Sequence, residues 1–435
     1  LSIRRQRQMC IRDRYWAPEN GVPQRRWAWL TKLLSQAGHE IMVITPPPHY
    51  LRKITVKEWI EQRGFKAFED KDSCVNDERI LRSGYFPGGS SLTGKVFNQI
   101  AVAVGELSVV LRRGGAVDQF GPELVIGTVP ALPTAFVAAV ASRKLRVPYV
   151  IDLRDAWPEL LSVASQWNSA TGRVSWRERL LSKGPLQLAS WAVNLSLDRI
   201  LRNAKTVIVT SSRLARDINS RAPVGKPAVT LRNVFPPETR INKVPDLNRA
   251  SDSLNVLYAG TLGRAQNLTN ALRAAALAKE AGVDVRIRFV GAGAARTELV
   301  RAADELNVDA IFEHRRDPQL LSESYQWADT ALVHLTDWKP LLQAVPSKTY
   351  ELMDQGIHIS GVVDGETADL IRALDAGHVV PPEQPRELAR LWVRLANDRT
   401  LLDVPRDGTE WVRKQREDLA PLVLRNCLSS GSEEK

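Results

Sequence analysis

The chain has little sulfur, with three cysteines and three methionines in 435 residues. Cys10, Cys74 and Cys427 are odd in number and far apart, which excludes a disulfide framework and the paired spacing of a zinc site. That usage fits a reducing compartment, so the N-x-S/T matches at Asn194 and Asn267 are expected to be chance matches. Long apolar runs are missing too. The longest, residues 100–111, is too short to span a bilayer and carries Glu106, which predicts a buried or interfacial helix. Acid is in deficit: 60 Lys and Arg face 49 Asp and Glu, a net charge of +11. With no nucleic-acid motif to accompany it, that charge suits nucleotide phosphates or an anionic membrane surface, and not DNA or RNA.

What is present is ordinary for a globular protein: 44% hydrophobic and 25% charged residues, over a length that accommodates two cores. Part of the charge is local. Residues 1–14 hold five Arg and one Asp, begin without Met and show neither helix nor strand periodicity. They resemble translated sequencing-adapter sequence more than a natural start, and are expected to stand outside the fold. From Tyr15 onward, strand-like runs at 41–45, 124–126, 149–152 and 207–210 alternate with helical patterns at 25–37, 135–144 and 186–203. Residues 236–253, rich in Pro, Asp, Asn and Ser, read as a linker. A second series follows, with strands expected at 254–259, 285–290, 310–312, 330–335, 357–363 and 379–380. The class is therefore α/β: two tandem Rossmann-like, doubly wound domains over 15–235 and 254–405, with 406–435 returning towards the first. Ligands of such sheets lie at the carboxyl ends of the strands, here in a cleft between the two domains.

The segment 344–365, AVPSKTYELMDQGIHISGVVDG, carries the first chemical signal. Pro346 and Ser347 predict a helix start with Ser347 as its N-cap, and Lys348 and Glu351 stand three apart on one face of its first turn. A helix N-terminus offers unpaired N–H groups and partial positive charge; with a lysine added it can hold a diphosphate, while a carboxylate accepts bonds from sugar hydroxyls. A surface Lys–Glu pair has the same spacing. The other loops of the domain favour the first reading. Gly260, Gly263 and Arg264 follow the 254–259 strand, Gly291 and Gly293 follow 285–290, and Gly365 precedes Glu366. Glycines there let backbone N–H groups approach a phosphate, and four such loops around one sheet edge suit a nucleotide lying across it.

In order along the chain stand YWAPENGVPQRR (15–26), AGHEIMVITPPPHY (37–50), VPYVIDLRDAWPEL (147–160), VIVTSSRL (207–214), LRNVF (231–235), YAGTLGRAQNL (258–268), RFVGAG (288–293) and VPSKTYELMDQG (345–356). Together they resemble glycosyltransferase family 4, retaining enzymes of the GT-B fold, in its bacterial branch for surface polysaccharides and lipid-linked sugars. The resemblance implies a nucleotide-sugar donor in the second domain, with UDP as the expected carrier, and an acceptor on the first. Glu351 would hold the ribose; Arg264, Lys348 and Ser347 would meet the diphosphate with Gly260 and Gly263; Gly291 and Gly293 would line the nucleobase end. Gln343 and Glu366 would face the donor, and Gly21 would approach its phosphate and sugar. Asp152, Arg154 and Asp155 would orient acceptor or sugar, although Asp152 and Arg154 are equally readable as parts of a buried ion pair.

The chain departs from the family in three places. Gln343 stands eight residues before Glu351 where a Glu is frequent, and Thr128 replaces a frequent His. The strand that should precede YWAPE is taken by residues 1–14, so the first sheet is expected to lack its central strand. Asp70-Lys71-Asp72 reads as a solvated loop and not as a metal pair; no metal and no cofactor is expected. His39 and His49 are expected in ordinary hydrogen bonds. Residues 51–68 mix Lys and Arg with Trp59, Phe65 and Phe68, which suits a membrane-surface helix or one covering the first sheet. The expected activity is metal-independent, retaining transfer of a hexose onto a polysaccharide or lipid-linked envelope precursor, in the cytoplasm at the inner face of the membrane. The alternatives are a silent donor-binding subunit and a UDP-sugar 2-epimerase.

Overall fold

The computed structural model describes residues 8–13, 16–18, 21–48, 54–88, 92–129, 132–155, 185–221, 227–241, 243, 252–314 and 318–428. They form two compact units, the first from the described parts of 1–158, 181–235 and 420–435, the second from those of 236–419.

The first unit is built on an eight-stranded sheet: β1 (Gln8–Arg12), β2 (Glu40–Thr45), β3 (Phe68–Asp70), β4 (Arg79–Arg82), β5 (Leu124–Val129), β6 (Tyr149–Leu153), β7 (Thr206–Val209) and β8 (Val229–Thr230). Their order is β3-β4-β2-β1-β5-β6-β7-β8, parallel except for β3 against β4. Parallel strands buried on both faces read as unbroken apolar runs, which is why 41–45, 124–126 and 207–210 were visible in the sequence. The helices α1 (Val22–Gln36), α2 (Val56–Glu61) and α3 (Leu92–Leu111) follow within this unit.

One expectation is corrected here. Gln8–Arg12 do not stand outside the fold: they form β1 at the middle of the sheet, paired from Gln8 with Glu40 on one side and from Met9 with Leu124 on the other. The sheet therefore has its central strand. A strand covered on both faces needs no alternation, only apolar bulk at its centre, and Met9, Cys10 and Ile11 supply it with no exposed surface. The short β3 and β4 also escaped the sequence. Asp70 ends β3 and is not a freely solvated loop residue: its Oδ2 meets Arg82 Nε at 2.8 Å, and its Oδ1 accepts from Asp72 N at 3.1 Å. His49 and residues 51–53 lie outside the described residues.

The second unit has a six-stranded, wholly parallel sheet: β9 (Ser253–Ala259), β10 (Asp284–Val290), β11 (Ala310–Glu313), β12 (Thr330–His334), β13 (Ile359–Val362) and β14 (Gly377–Val380), ordered β11-β10-β9-β12-β13-β14. Its core joins Leu254, Val256, Ile287 and Phe289 of the strands to Leu388, Trp392 and Leu395 of the helix Pro385–Asn397. The sheet order reverses between β9 and β12, so loops leaving these strands diverge to opposite faces and open a crevice at their carboxyl ends. Among the described residues no helix is long and apolar enough to cross a membrane.

Candidate active site

The loops at the carboxyl end of the second sheet are tied to one another. Gly260 N donates to Val290 O at 2.9 Å and Leu262 N to Ala292 O at 3.0 Å, zipping the β9 loop to the β10 loop. Thr336 N donates to Ala265 O at 2.9 Å, joining the β12 loop to the same turn. Thr367 Oγ1 donates to Ala344 O at 2.7 Å and links the β12 loop to the helix Gly365–Ala373 after β13. Glu383, beyond β14, accepts from Asn267 Nδ2 and, at 2.8 Å, from Thr336 Oγ1.

This lattice gives the glycines a role the sequence did not reveal. Gly291 has φ 154°, and a Cβ there would overlap the carbonyl oxygen of Gly260; one at Gly293 would overlap that of Leu262. Gly365, at φ 68°, stands in the same relation to Leu342 O. These positions are glycine because another backbone passes against them, which packs the loops into one surface.

The helix Ser347–Asp354 begins on that surface. Its N-cap is Pro346 and not Ser347, which is the first helical residue, and no side chain caps it. Thr349 N turns back to Pro346 O at 2.9 Å, leaving Ser347 and Lys348 N–H at the helix start. Lys348 and Glu351 share a face as their spacing predicts, Nζ to Oε2 at 3.1 Å. A third residue, Tyr325, joins them: its hydroxyl donates to Glu351 Oε1 at 2.8 Å and accepts from Lys348 Nζ at 2.9 Å. Tyr325 is buried on the helix Pro318–Trp327, just before β12. Nothing in its local sequence marks it.

Gln343 closes the short helix Lys339–Gln343, and its Oε1 is buried with no hydrogen-bond partner among the described residues. It is an acceptor awaiting a donor, as a sugar hydroxyl would be. Glu366 is buried in the first turn of the helix Gly365–Ala373. Arg264 opens the turn Arg264–Gln266, and Gly263 precedes it. Under this surface His334, at the end of β12, places Nε2 3.0 Å from Asn270 Nδ2; burial pulls its pKa down to about 3 and keeps it neutral.

In the first unit Gly21 is the N-cap of α1, whose carbonyl accepts from Arg25 N at 2.9 Å. Asp152, on β6, is completely buried, and Arg26 of α1 takes both of its oxygens: Nη2 to Oδ1 at 2.8 Å and Nε to Oδ2 at 3.2 Å. Arg26 Nη1 also donates to Leu231 O at 2.9 Å and Asn233 Oδ1 at 3.0 Å. Asp152 therefore anchors α1 and the stretch after β8 and offers no open oxygen to an acceptor. Arg154 pairs with Asp13 at 3.5 Å, so β1 contributes to this end of the sheet. Asp155 lies two residues beyond β6, where loss of water pushes its carboxyl pKa up against the opposing charge of Arg154. Thr128 is buried inside β5.

Two Rossmann-like units, each a parallel sheet with its loops at the strand ends, define the GT-B architecture. Two family models agree and cover most of the chain: the glycosyl transferase 4-like domain over residues 21–233 and glycosyl transferases group 1 over 239–410. The chain belongs to the family 4 type of glycosyltransferases. No curated protein matches it. Among solved structures it is similar to sucrose-phosphate synthase from Thermosynechococcus elongatus, with 16% identity over 97% of this chain and 98% of that one and a TM-score of 0.61. It is also similar to HepE of Anabaena in complex with UDP and glucose (15% identity, 97% and 99% covered, TM-score 0.61). A third is WaaG, a glycosyltransferase involved in lipopolysaccharide biosynthesis (12% identity, 97% and 100% covered, TM-score 0.60).

Proposed function

We propose that this glycosyltransferase is a retaining, metal-independent enzyme that moves a hexose from a UDP-linked donor to a polysaccharide or lipid-linked precursor of the cell envelope. The observation that carries the reading is the Tyr325–Lys348–Glu351 cluster beside the uncapped helix start, on loops joined into one surface. In this arrangement Glu351 accepts bonds from the ribose hydroxyls. Lys348, Arg264 and the Ser347 and Lys348 N–H groups meet the diphosphate and stabilise the charge that grows on it as the sugar departs. Gln343 and Glu366 contact the sugar. These cations are the chain's own means of neutralising the leaving group. The bond from the anomeric carbon to the phosphate oxygen breaks, and the acceptor hydroxyl attacks from the same face. Its proton passes to the departing phosphate oxygen, so no protein base is needed. UDP is preferred because HepE, a protein of the same fold, holds UDP and glucose. The acceptor belongs to the first unit, on the side of Arg154 and Asp155, with Gly21 towards the donor phosphate and sugar, and a lipid-linked acceptor sets the enzyme at the inner face of the membrane.

The test is incubation of the protein with UDP-hexoses, following release of UDP and free sugar, with the configuration of the nascent sugar read by NMR. Slow hydrolysis with retained configuration supports the reading. Tight UDP binding without any turnover would support a silent binder, and appearance of an epimeric sugar nucleotide would support an epimerase.

A further inference from the structure

α3 is apolar on its outer face as well as on the face it packs into the core. Its inner face carries Asn98 and Glu106, both buried, beside Val102 and Val110, and Asn98 Nδ2 donates to Phe86 O at 2.5 Å. Its outer face carries Phe97, Ile100, Val104 and Leu111, which are 49–59% exposed. A surface helix ordinarily turns its apolar stripe to the core. Here a second apolar stripe faces out for about 20 Å, at 1.5 Å per residue. Glu106 is the only acid in α3 and lies on the inner side, while the helix runs directly into exposed Arg112 and Arg113.

The stripe continues beyond α3. Phe97 meets Phe86 edge to face at 5.4 Å, Phe86 meets Trp59 of α2 at 5.1 Å, and Trp59 meets Phe65 at 5.9 Å. Phe65 is exposed between exposed Arg63 and Lys66. The acids of α2 are already engaged: Glu58 caps Thr55, and Glu61 faces Lys57 at 4.0 Å. The result is an apolar strip with cations at both ends that have no acidic partner among the described residues.

We propose that this strip, from Phe65 through Phe97 to Leu111, docks on an anionic lipid bilayer, with the apolar side chains in the headgroup–acyl boundary and Arg63, Lys66, Arg112 and Arg113 among the headgroups. A two-fold pairing of the same face would set cations against cations, so lipid is the occupant the charges favour. The proposal deepens the membrane-side part of the function proposed above and rests on it. Its test needs no donor, acceptor or turnover, so the two fail separately.

The experiment is cosedimentation of the intact chain with phosphatidylcholine vesicles, with and without phosphatidylglycerol. The wild type is expected to pellet only with the anionic vesicles and to be released by salt. Ile100→Glu with Val104→Glu should weaken binding about tenfold or more at an unchanged melting temperature. Leu422→Glu, at an exposed apolar residue elsewhere, should bind like wild type. The proposal is overturned if the wild type ignores anionic vesicles or if the double variant binds them equally. It is overturned as well if light scattering shows a wild-type dimer that the double variant dissociates, which would assign the face to a second copy.

Discussion

Tyr325 and Glu351 are joined by a 2.8 Å bond from the phenol hydroxyl to Oε1, and the same hydroxyl accepts from Lys348 Nζ at 2.9 Å. One neutral group thus holds both charged residues of the proposed donor surface in place. Tyr325→Phe should leave the fold intact and raise the donor KM about three- to tenfold, the value of one or two buried hydrogen bonds, with little change in kcat. Steady-state kinetics decides: a fall in kcat at constant KM would show that Tyr325 acts on the reacting bond and not on donor binding.

Gly291 is held at φ 154° against the carbonyl of Gly260. Gly291→Ala combines a forbidden backbone region with a backbone overlap and should cost about 2–4 kcal/mol. Gly282, at φ 87° in open space, serves as the comparison. Its alanine variant should lose only about 1–2 kcal/mol, from backbone strain alone. Equal losses in thermal melts of the two variants would show that the β9 and β10 loops are not packed as described.

These contacts show what the sequence reveals and what it withholds. Buried parallel strands such as 41–45 and 254–259 announce themselves because both faces demand apolar side chains. β1 did not, because Gln8 and Arg12 leave only three apolar residues between them in an otherwise basic stretch. The Lys348–Glu351 pair was legible from spacing, whereas Tyr325 belongs to a helix before β12 and meets them only in three dimensions. Arg26 and Asp152 are 126 residues apart, so neither could name the other as partner. The glycines after β10 were visible as loop-forming residues. That they accommodate the neighbouring loop's backbone is a fact of sheet order, which spacing does not encode.

Arg12 is wholly buried in β1, where the Cys10 side chain and the charge of buried Glu106 only partly offset its loss of water. Burial also pulls its pKa below the ordinary arginine value. Because burial outweighs these partners, an apolar replacement is favourable, and Arg12→Leu should stabilise the first unit by about 1–3 kcal/mol. Denaturant midpoints measure this. A lower midpoint would show that the guanidinium is engaged in the folded protein.

His358 is buried between Thr330 Oγ1, 2.8 Å from its Nδ1, and His378 Nδ1, 2.9 Å from its Nε2. Burial first, and then the charges of His378 and Arg394, lower its pKa to about 3. The unfolded chain, with an ordinary histidine pKa near 6.5, binds a proton that the folded chain refuses. The second unit should therefore be fully stable above about pH 6.5 and lose stability as pH falls towards about 3, by at most about 1.4 kcal/mol per pH unit from this residue. His358→Gln should flatten that slope in melts taken across the window. An unchanged slope would assign the acid sensitivity elsewhere, His334 being the next group with the same shift.

UDP-dependent melting tests the proposed role of Glu351 and Lys348 as the UDP-sugar donor surface. Saturating UDP at about one hundred times its Kd should stabilise the wild type by about 2.7 kcal/mol, seen as a rise of several degrees in Tm. Glu351→Ala should fold, melt cooperatively and show no such rise. A wild-type chain indifferent to UDP, or a Glu351→Ala variant stabilised as much as wild type, would contradict that role.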